Sequence, residues 1–322
     1  MVPEDTIRAA LPQALQTVDL PNCGPKEQGK VRDCYTLGEQ RVMVTTDRQS
    51  AFDHVLGLIP YKGAVLNLLA EFWFEQTGQI IPNHMICVPD PNVLIAHTCQ
   101  PIPVEMVVRG YISGVTKTSI WYSYRRGERE IYGLRFPDGL RKNQILPEPV
   151  ITPTTHGGGA GGHDERLTRE EIIRRGLVEP ELYTQMEQAA LALFHFGSHY
   201  VKQRGLILVD TKYEFGLYQD KLMLMDEIHT PDSSRFWKAD TYEERFERGE
   251  EPENFDKEFL RLWYQERGYT GDGEPPAMTD DLAVAVAQRY IAVYEQITAT
   301  KFHPFSYPIE QRIIGAVAAA TV

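Results

Sequence analysis

Three charged residues at every second position, Asp210, Lys212 and Glu214, lie within the run Val209-Asp210-Thr211-Lys212-Tyr213-Glu214-Phe215-Gly216. In an extended strand alternate side chains share a face, so this spacing predicts one face with three charges and an opposite face formed by Val209, Thr211, Tyr213 and Phe215. A turn over Leu217 to Asp220 would send a second strand, Leu222 to Ile228, back along the first. That return is expected to bring Asp226 within a residue or two of Asp210, so that Asp210, Glu214 and Asp226 converge beside Lys212. Crowded carboxylates raise one another's pKa, and a hard divalent cation with oxygen ligands relieves the repulsion. Magnesium takes one or two carboxylates together with phosphate oxygens, so Mg2+ with ATP as co-substrate is the expected guest. The plain alternative is a solvated face on which Lys212 neutralises one carboxylate.

Further candidate groups flank this strand. Asp226-Glu227-Ile228-His229-Thr230-Pro231-Asp232-Ser233-Ser234-Arg235 places an acid, two hydroxyls and a guanidinium after a strand end. Arg235 suits a bidentate contact with carboxylate or phosphate, and Asp232 could accept ribose hydroxyls, although a capped turn explains the same residues. Arg109, Ser113, Thr116 and Ser119 form a similar cluster after the strand Val104 to Val108. Gly24-Pro25-Lys26-Glu27-Gln28-Gly29-Lys30 fits seven positions of a phosphate-binding P-loop, but the eighth is Val31 where a metal-binding Ser or Thr is required. Val31 to Leu37 alternates like a strand, so a glycine turn with Gly29, Lys30 and Arg32 covering nucleotide phosphates is the better reading. His156-Gly157-Gly158-Gly159 lacks the G-x-S-x-G elbow that an esterase would need, and His156 with His163 makes a weak metal signal.

These groups need a scaffold. Val31 to Leu37 and Arg41 to Thr46 predict a hairpin around Gly38-Glu39-Gln40, and Gly63 to Gln76 carries apolar residues at helical spacing. Residues 133 to 162 are rich in glycine and proline and predict a long surface loop. Thr168 and Glu171 form a capping box, Pro180 opens a long helix ending at Gly205, and a last long helix begins after Thr279. Glu243 to Asp256 reads as a solvated acidic segment. The sum is α+β, and 322 residues allow two lobes with a cleft between them. Subtracting 45 acidic from 33 basic residues gives a net charge of −12, which argues against non-specific binding to nucleic acid or anionic membranes. Four cysteines without C-x-x-C spacing, no charged-then-apolar leader and no apolar run of spanning length make the cytoplasm the expected setting.

Val209 to Gly216 and Pro103-Val104-Glu105-Met106-Val107-Val108-Arg109-Gly110 resemble the two diagnostic segments of the SAICAR synthetase family. The glycine turn, Thr46 to Asp53, and Asp226 to Arg235 resemble it in the same order. The resemblance implies a two-lobed SAICAR-synthase-like fold with a nucleotide cleft like that of ATP-grasp enzymes and kinases. It divides the chain into a β-rich nucleotide-binding lobe, 1–105, and an α+β lobe with the substrate and metal site, 106–322. It also implies the reaction of ATP, L-aspartate and CAIR, a carboxylated aminoimidazole ribonucleotide, to SAICAR, ADP and phosphate through an acyl phosphate.

By that likeness Gly29, Lys30 and Arg32 would hold the ATP phosphates, Pro103 to Glu105 would meet the adenine, and Glu214 and Asp226 would bind magnesium. Arg109, Ser119, Asp232 and Arg235 would hold CAIR, with Asp210 and Lys212 near its reacting carboxylate and Arg48 and Ser50 beside the aspartate. The chain departs from the family pattern at Ser113 to Trp121, where Ser119 or Thr116 could take the phosphate, and at His156, which replaces a lysine. A kinase or another carboxylate-amine ligase would share Lys30, Glu214 and Asp226 but not the Asp232 to Arg235 pocket. A non-catalytic nucleotide binder would not need Lys212 and three acids beside a second basic pocket.

Overall fold

The computed structural model describes residues 2–52, 54–156 and 164–321. Two antiparallel sheets carry the fold. The first has five strands in the order Lys26–Gln28, Arg32–Leu37, Gln40–Thr45, Val93–His97, Met85–Asp90. The expected hairpin is present and turns at Gly38-Glu39, where Gly38 has φ 61°. Its strands alternate between two cores: Met43 packs with Leu66, Leu69 and Trp73 of the helix Lys62–Thr77, whereas Val42 and Val44 pack with Ile313 and Val317 of the C-terminal helix Glu310–Ala320. Helices thus cover both faces of this sheet.

The second sheet is organised by the strand Leu206–Tyr218, thirteen residues long. One of its edges pairs with Val104–Ile112, which in turn pairs with Gln144–Ile151. Its other edge is shared: Ser234–Lys238 lies along the first half and Lys221–Met225 along the second. Between those partners the edge is open except for the Lys212 N–H, which donates to Ser233 O at 3.0 Å. Functional groups can emerge there because the neighbouring strands separate. The helix Pro180–Lys202 packs behind, with Met186, Leu193 and Phe194 in the same core as Tyr213 and Phe215.

Several expectations are corrected. Residues 133 to 162 are not one loop, because Gln144–Ile151 joins the second sheet despite Pro147 and Pro149. It is an edge strand with a register shift between Ile145 and Val150, the setting in which a strand tolerates proline. The glycine run 157–162 and His163 lie outside the described residues. Glu243 to Asp256 is not wholly solvated: Asp256 is buried and caps the helix Lys257–Glu266 by accepting from Glu258 N at 2.7 Å. The strand Val104–Ile112 spans residue 105, and the C-terminal helix packs on the first sheet. The capping box at Thr168 and the helix start at Pro180 are as expected. No helix among the described residues is long and apolar enough to cross a membrane.

Candidate active site

A cavity of about 1080 Å³ opens between the sheets, with Lys30 and Ser50 on one side and Arg109, Asp210, Lys212 and Arg235 on the other. Its volume is at the upper end of the range for small-molecule sites and accommodates more than one substrate.

The strand Leu206–Tyr218 presents two distinct centres, and the expected convergence of Asp210, Glu214 and Asp226 is corrected. The two-residue turn at Gln219-Asp220 sets Glu214 opposite Met225, so Asp226 returns beside the Glu214 end of the strand. Asp210 instead lies opposite Arg109 on one neighbour and Arg235 on the other. Its Oδ2 accepts from Arg109 Nη1 at 3.0 Å and from Arg235 Nη1 at 2.7 Å, all three side chains being buried. Arg109 is fixed further by Nε donating to Thr152 Oγ1 at 2.8 Å and Nη2 to Thr118 O at 3.2 Å. Burial disfavours the Arg235 charge, yet Asp210, Glu258 and Asp256 outweigh it and hold its pKa above the ordinary arginine value. The result is a preorganised anion cradle.

Ser119 and Thr116 both belong to it, their hydroxyls 2.8 Å apart. Gly114 lets them approach: it has φ +91°, and a Cβ there would lie 2.3 Å from Ser119 Oγ and 2.7 Å from Arg235 Nη2. Gly114→Ala is therefore expected to raise the KM of the anionic substrate about tenfold, equivalent to roughly 1.4 kcal/mol, with a smaller change in kcat. Steady-state kinetics check this.

The second centre surrounds Lys212. Its Nζ donates to Glu105 Oε1 at 2.9 Å and to Glu214 Oε1 in a short contact. Thr154 Oγ1 holds the other Glu105 oxygen at 3.0 Å, and His156 Nδ1 lies 3.4 Å from Glu214 Oε2 and 3.7 Å from Glu105 Oε1. Burial pushes Glu105 up, but Lys212, His156 and Thr154 outweigh it and bring its pKa down to about 2. Glu105 raises the His156 pKa most, with Glu214 adding to it. Burial above all raises the Asp226 pKa, and Glu214 adds to it, against the opposing charges of Arg32 and Lys212. Its Oδ1 receives Arg32 Nη1 at 2.5 Å, while Arg32 Nη2 reaches Glu227 at 3.1 Å. The glycine turn closes through Gly29 N–H to Arg32 O at 2.8 Å.

Other candidates are placed differently. The Glu105 carboxylate faces Lys212 and His156 in the acidic centre. Arg48 is buried and directed to Asp33 at 2.8 Å and to the carbonyls of Gly29 and Lys30, so it supports the glycine turn from behind, whereas Ser50 lines the cavity. The Asp232 carboxylate is almost wholly engaged: Oδ2 receives Lys62 and Lys257, each at 2.9 Å, and Oδ1 receives Tyr290 OH at 2.7 Å. Burial pushes the Lys62 pKa down to about 8. Sequence reasoning missed Lys62, Lys257 and Tyr290. Lys62 had a signal, being the one charge in the apolar run from Gly57 to Ala70.

A SAICAR synthetase family model matches residues 26–276. The phosphoribosylaminoimidazole-succinocarboxamide synthase of Legionella pneumophila (strain Lens) is 52% identical over 309 residues, covering 94% of this chain and 97% of that protein. This chain belongs to the SAICAR synthetase family. The chloroplastic phosphoribosylaminoimidazole-succinocarboxamide synthase of Arabidopsis thaliana is 46% identical, covering 96% of this chain and 76% of that protein. Among solved structures, SAICAR synthase from Saccharomyces cerevisiae complexed with SAICAR superposes with a TM-score of 0.77 at 31% identity, over 90% of this chain and all of that one. The α+β fold is thus the SAICAR synthase fold, and the chain is an enzyme of that family.

Proposed function

We infer that the protein joins the carboxylate of CAIR to the amine of L-aspartate at the expense of ATP, giving SAICAR, ADP and phosphate. The observation that carries this reading is the placement of both centres on one face of one strand. Asp210 with its two arginines and Lys212 with its two glutamates are separated by two residues, about 6.6 Å along an extended strand. A phosphorylated substrate seated on the first centre presents its other end to the second.

The cradle of Arg109, Arg235, Ser119 and Thr116 would take the CAIR phosphate. Asp210 engages one nitrogen of each guanidinium and so sets their orientation; we assign it a positioning role. Lys30 and the amides of the glycine turn would cover the ATP phosphates, with Arg32 tying that turn to Asp226 and Glu227. The acidic donor set fits magnesium, since three carboxylates, Glu105, Glu214 and Asp226, face one ammonium, Lys212, and one guanidinium, Arg32. Glu214 and Asp226 would hold the ion, which when bound neutralises charge on the phosphates. Lys212 would donate to the phosphoryl oxygens in transit, stabilisation by position and charge rather than by covalent chemistry.

A carboxylate resists an amine because oxide is a poor leaving group. Attack of a CAIR carboxylate oxygen on the γ-phosphorus releases ADP and forms an acyl phosphate; the aspartate amine then attacks the carbonyl carbon, loses a proton and expels phosphate. The test mixes the protein with ATP, magnesium, CAIR and L-aspartate and seeks SAICAR by mass spectrometry. Equal amounts of SAICAR and ADP are expected. ADP release without aspartate incorporation contradicts the ligase reading and favours a kinase.

A further inference from the structure

We propose that Glu105, His156 and Glu214 form a site for a first-row transition dication such as Co2+ or Zn2+, held in preference to magnesium when no nucleotide is bound. The proposal rests on the reading of this acidic centre as a cation site and concerns what its third donor adds. One donor atom from each residue lies within 4.8 Å of the others. Two ligands at a tetrahedral angle, each about 2.1 Å from a metal, stand about 3.4 Å apart. His156 Nδ1 is 3.4 Å from Glu214 Oε2 and 3.7 Å from Glu105 Oε1, so small side-chain adjustments complete a first shell.

Lys212 shares this site with the ion. It engages Glu214 through Oε1, whereas His156 faces Oε2; at Glu105 both Lys212 and His156 face Oε1, and a carboxylate oxygen with two lone pairs serves two partners at once. The site is also built on sheet backbone. Thr154 pairs with Glu105 across adjacent strands, and the register of Asp210 with Arg109 through Tyr213 with Met106 runs toward Glu214 and Glu105. His156 N–H donates to Pro103 O at 3.1 Å, anchoring the imidazole beside the strand that bears Glu105. Thr154 Oγ1 orients Glu105 from outside, as outer-shell partners do in metal centres. The donor set decides the ion: magnesium prefers oxygen, whereas an imidazole beside two carboxylates favours later first-row ions, whose affinities exceed those of the earlier ones.

The test titrates Co2+ into the nucleotide-free full chain and monitors its visible absorption, with His156→Gln and His156→Ala in parallel and thermal melts to verify that the variants fold. One equivalent of Co2+ should bind, a large excess of Mg2+ should not displace it, and either substitution should weaken it at least about tenfold. Equal affinity in the folded variants, or displacement by equimolar Mg2+, overturns the proposal. SAICAR formation by the same preparation with magnesium is measured alongside. If it proceeds while the cobalt result fails, only this inference falls; if cobalt binds as expected and no SAICAR forms, the reaction falls and the site stands.

Discussion

Glu214→Gln lowers the rate of SAICAR formation by about a thousandfold while the protein remains folded. Glutamine keeps the shape of the side chain and removes its charge, so the cation that this centre would hold loses a ligand and Lys212 loses one of two carboxylate partners. Loss of a single preorganised electrostatic contact in an active site costs about 10²–10³-fold, and loss of a charge on a transferring phosphoryl group costs about 10³–10⁵-fold. The deficit should fall on kcat, with the KM for CAIR within about threefold of wild type because the anion cradle is separate. Asp226→Asn should combine a lower kcat with a higher KM for ATP, because Asp226 also anchors Arg32 under the glycine turn. Steady-state kinetics with a circular-dichroism melt check both variants. A near-normal rate in Glu214→Gln would contradict the assignment.

Asp232→Ala destabilises the fold by roughly 3–5 kcal/mol, the cost of breaking a buried ion pair from one side. Lys62 is completely buried and Lys257 partly so, with 12% of its side chain exposed, and both depend on the same Asp232 oxygen. Burial works against the Asp232 charge, but Lys257 and Lys62 outweigh it and hold the carboxyl well below its usual range. A carboxyl depressed in the folded state stabilises fully above its unfolded value of about 3.9, and that stabilisation is lost as pH falls toward the folded value. Urea unfolding should therefore show the full difference between wild type and variant at neutral pH and a narrowing difference below about pH 4. A difference under about 1 kcal/mol at neutral pH would show that the lysines find other partners. Since Asp232 and Lys257 line the cavity, the same substitution should impair substrate binding in whatever protein remains folded.

Local pattern made much of this legible. Alternation along Asp210 to Phe215 identified the strand and its charged face, the glycine turn was separable from a P-loop by the strand that begins after it, a capping box and a helix-opening proline located the starts at Thr168 and Pro180, and apolar periodicity located the helix after Thr279. Register was not legible. A hairpin turn fixes which residues face each other, and the tight turn at Gln219-Asp220 put Asp226 at the Glu214 end, leaving Asp210 to two arginines from other strands, Arg109 being far away in sequence. The strand Gln144–Ile151 was hidden by prolines that an edge position tolerates. Arg48 beside Asp33, and Lys62 with Tyr290 around Asp232, show a further limit: a charge within a motif can support the site from behind, and only burial reveals which way it points. His156 illustrates the converse, since a departure from the family pattern proved to face Glu105 and Glu214.

If ATP activates the CAIR carboxylate as an acyl phosphate in the space between the Asp210 and Lys212 centres, one carboxylate oxygen must leave with the phosphate. CAIR labelled with 18O in both carboxylate oxygens, turned over once with ATP, magnesium and L-aspartate, tests this directly by mass spectrometry of the released phosphate. One 18O in each phosphate and one retained in the amide of SAICAR is the expected result. Unlabelled phosphate formed alongside SAICAR would contradict it.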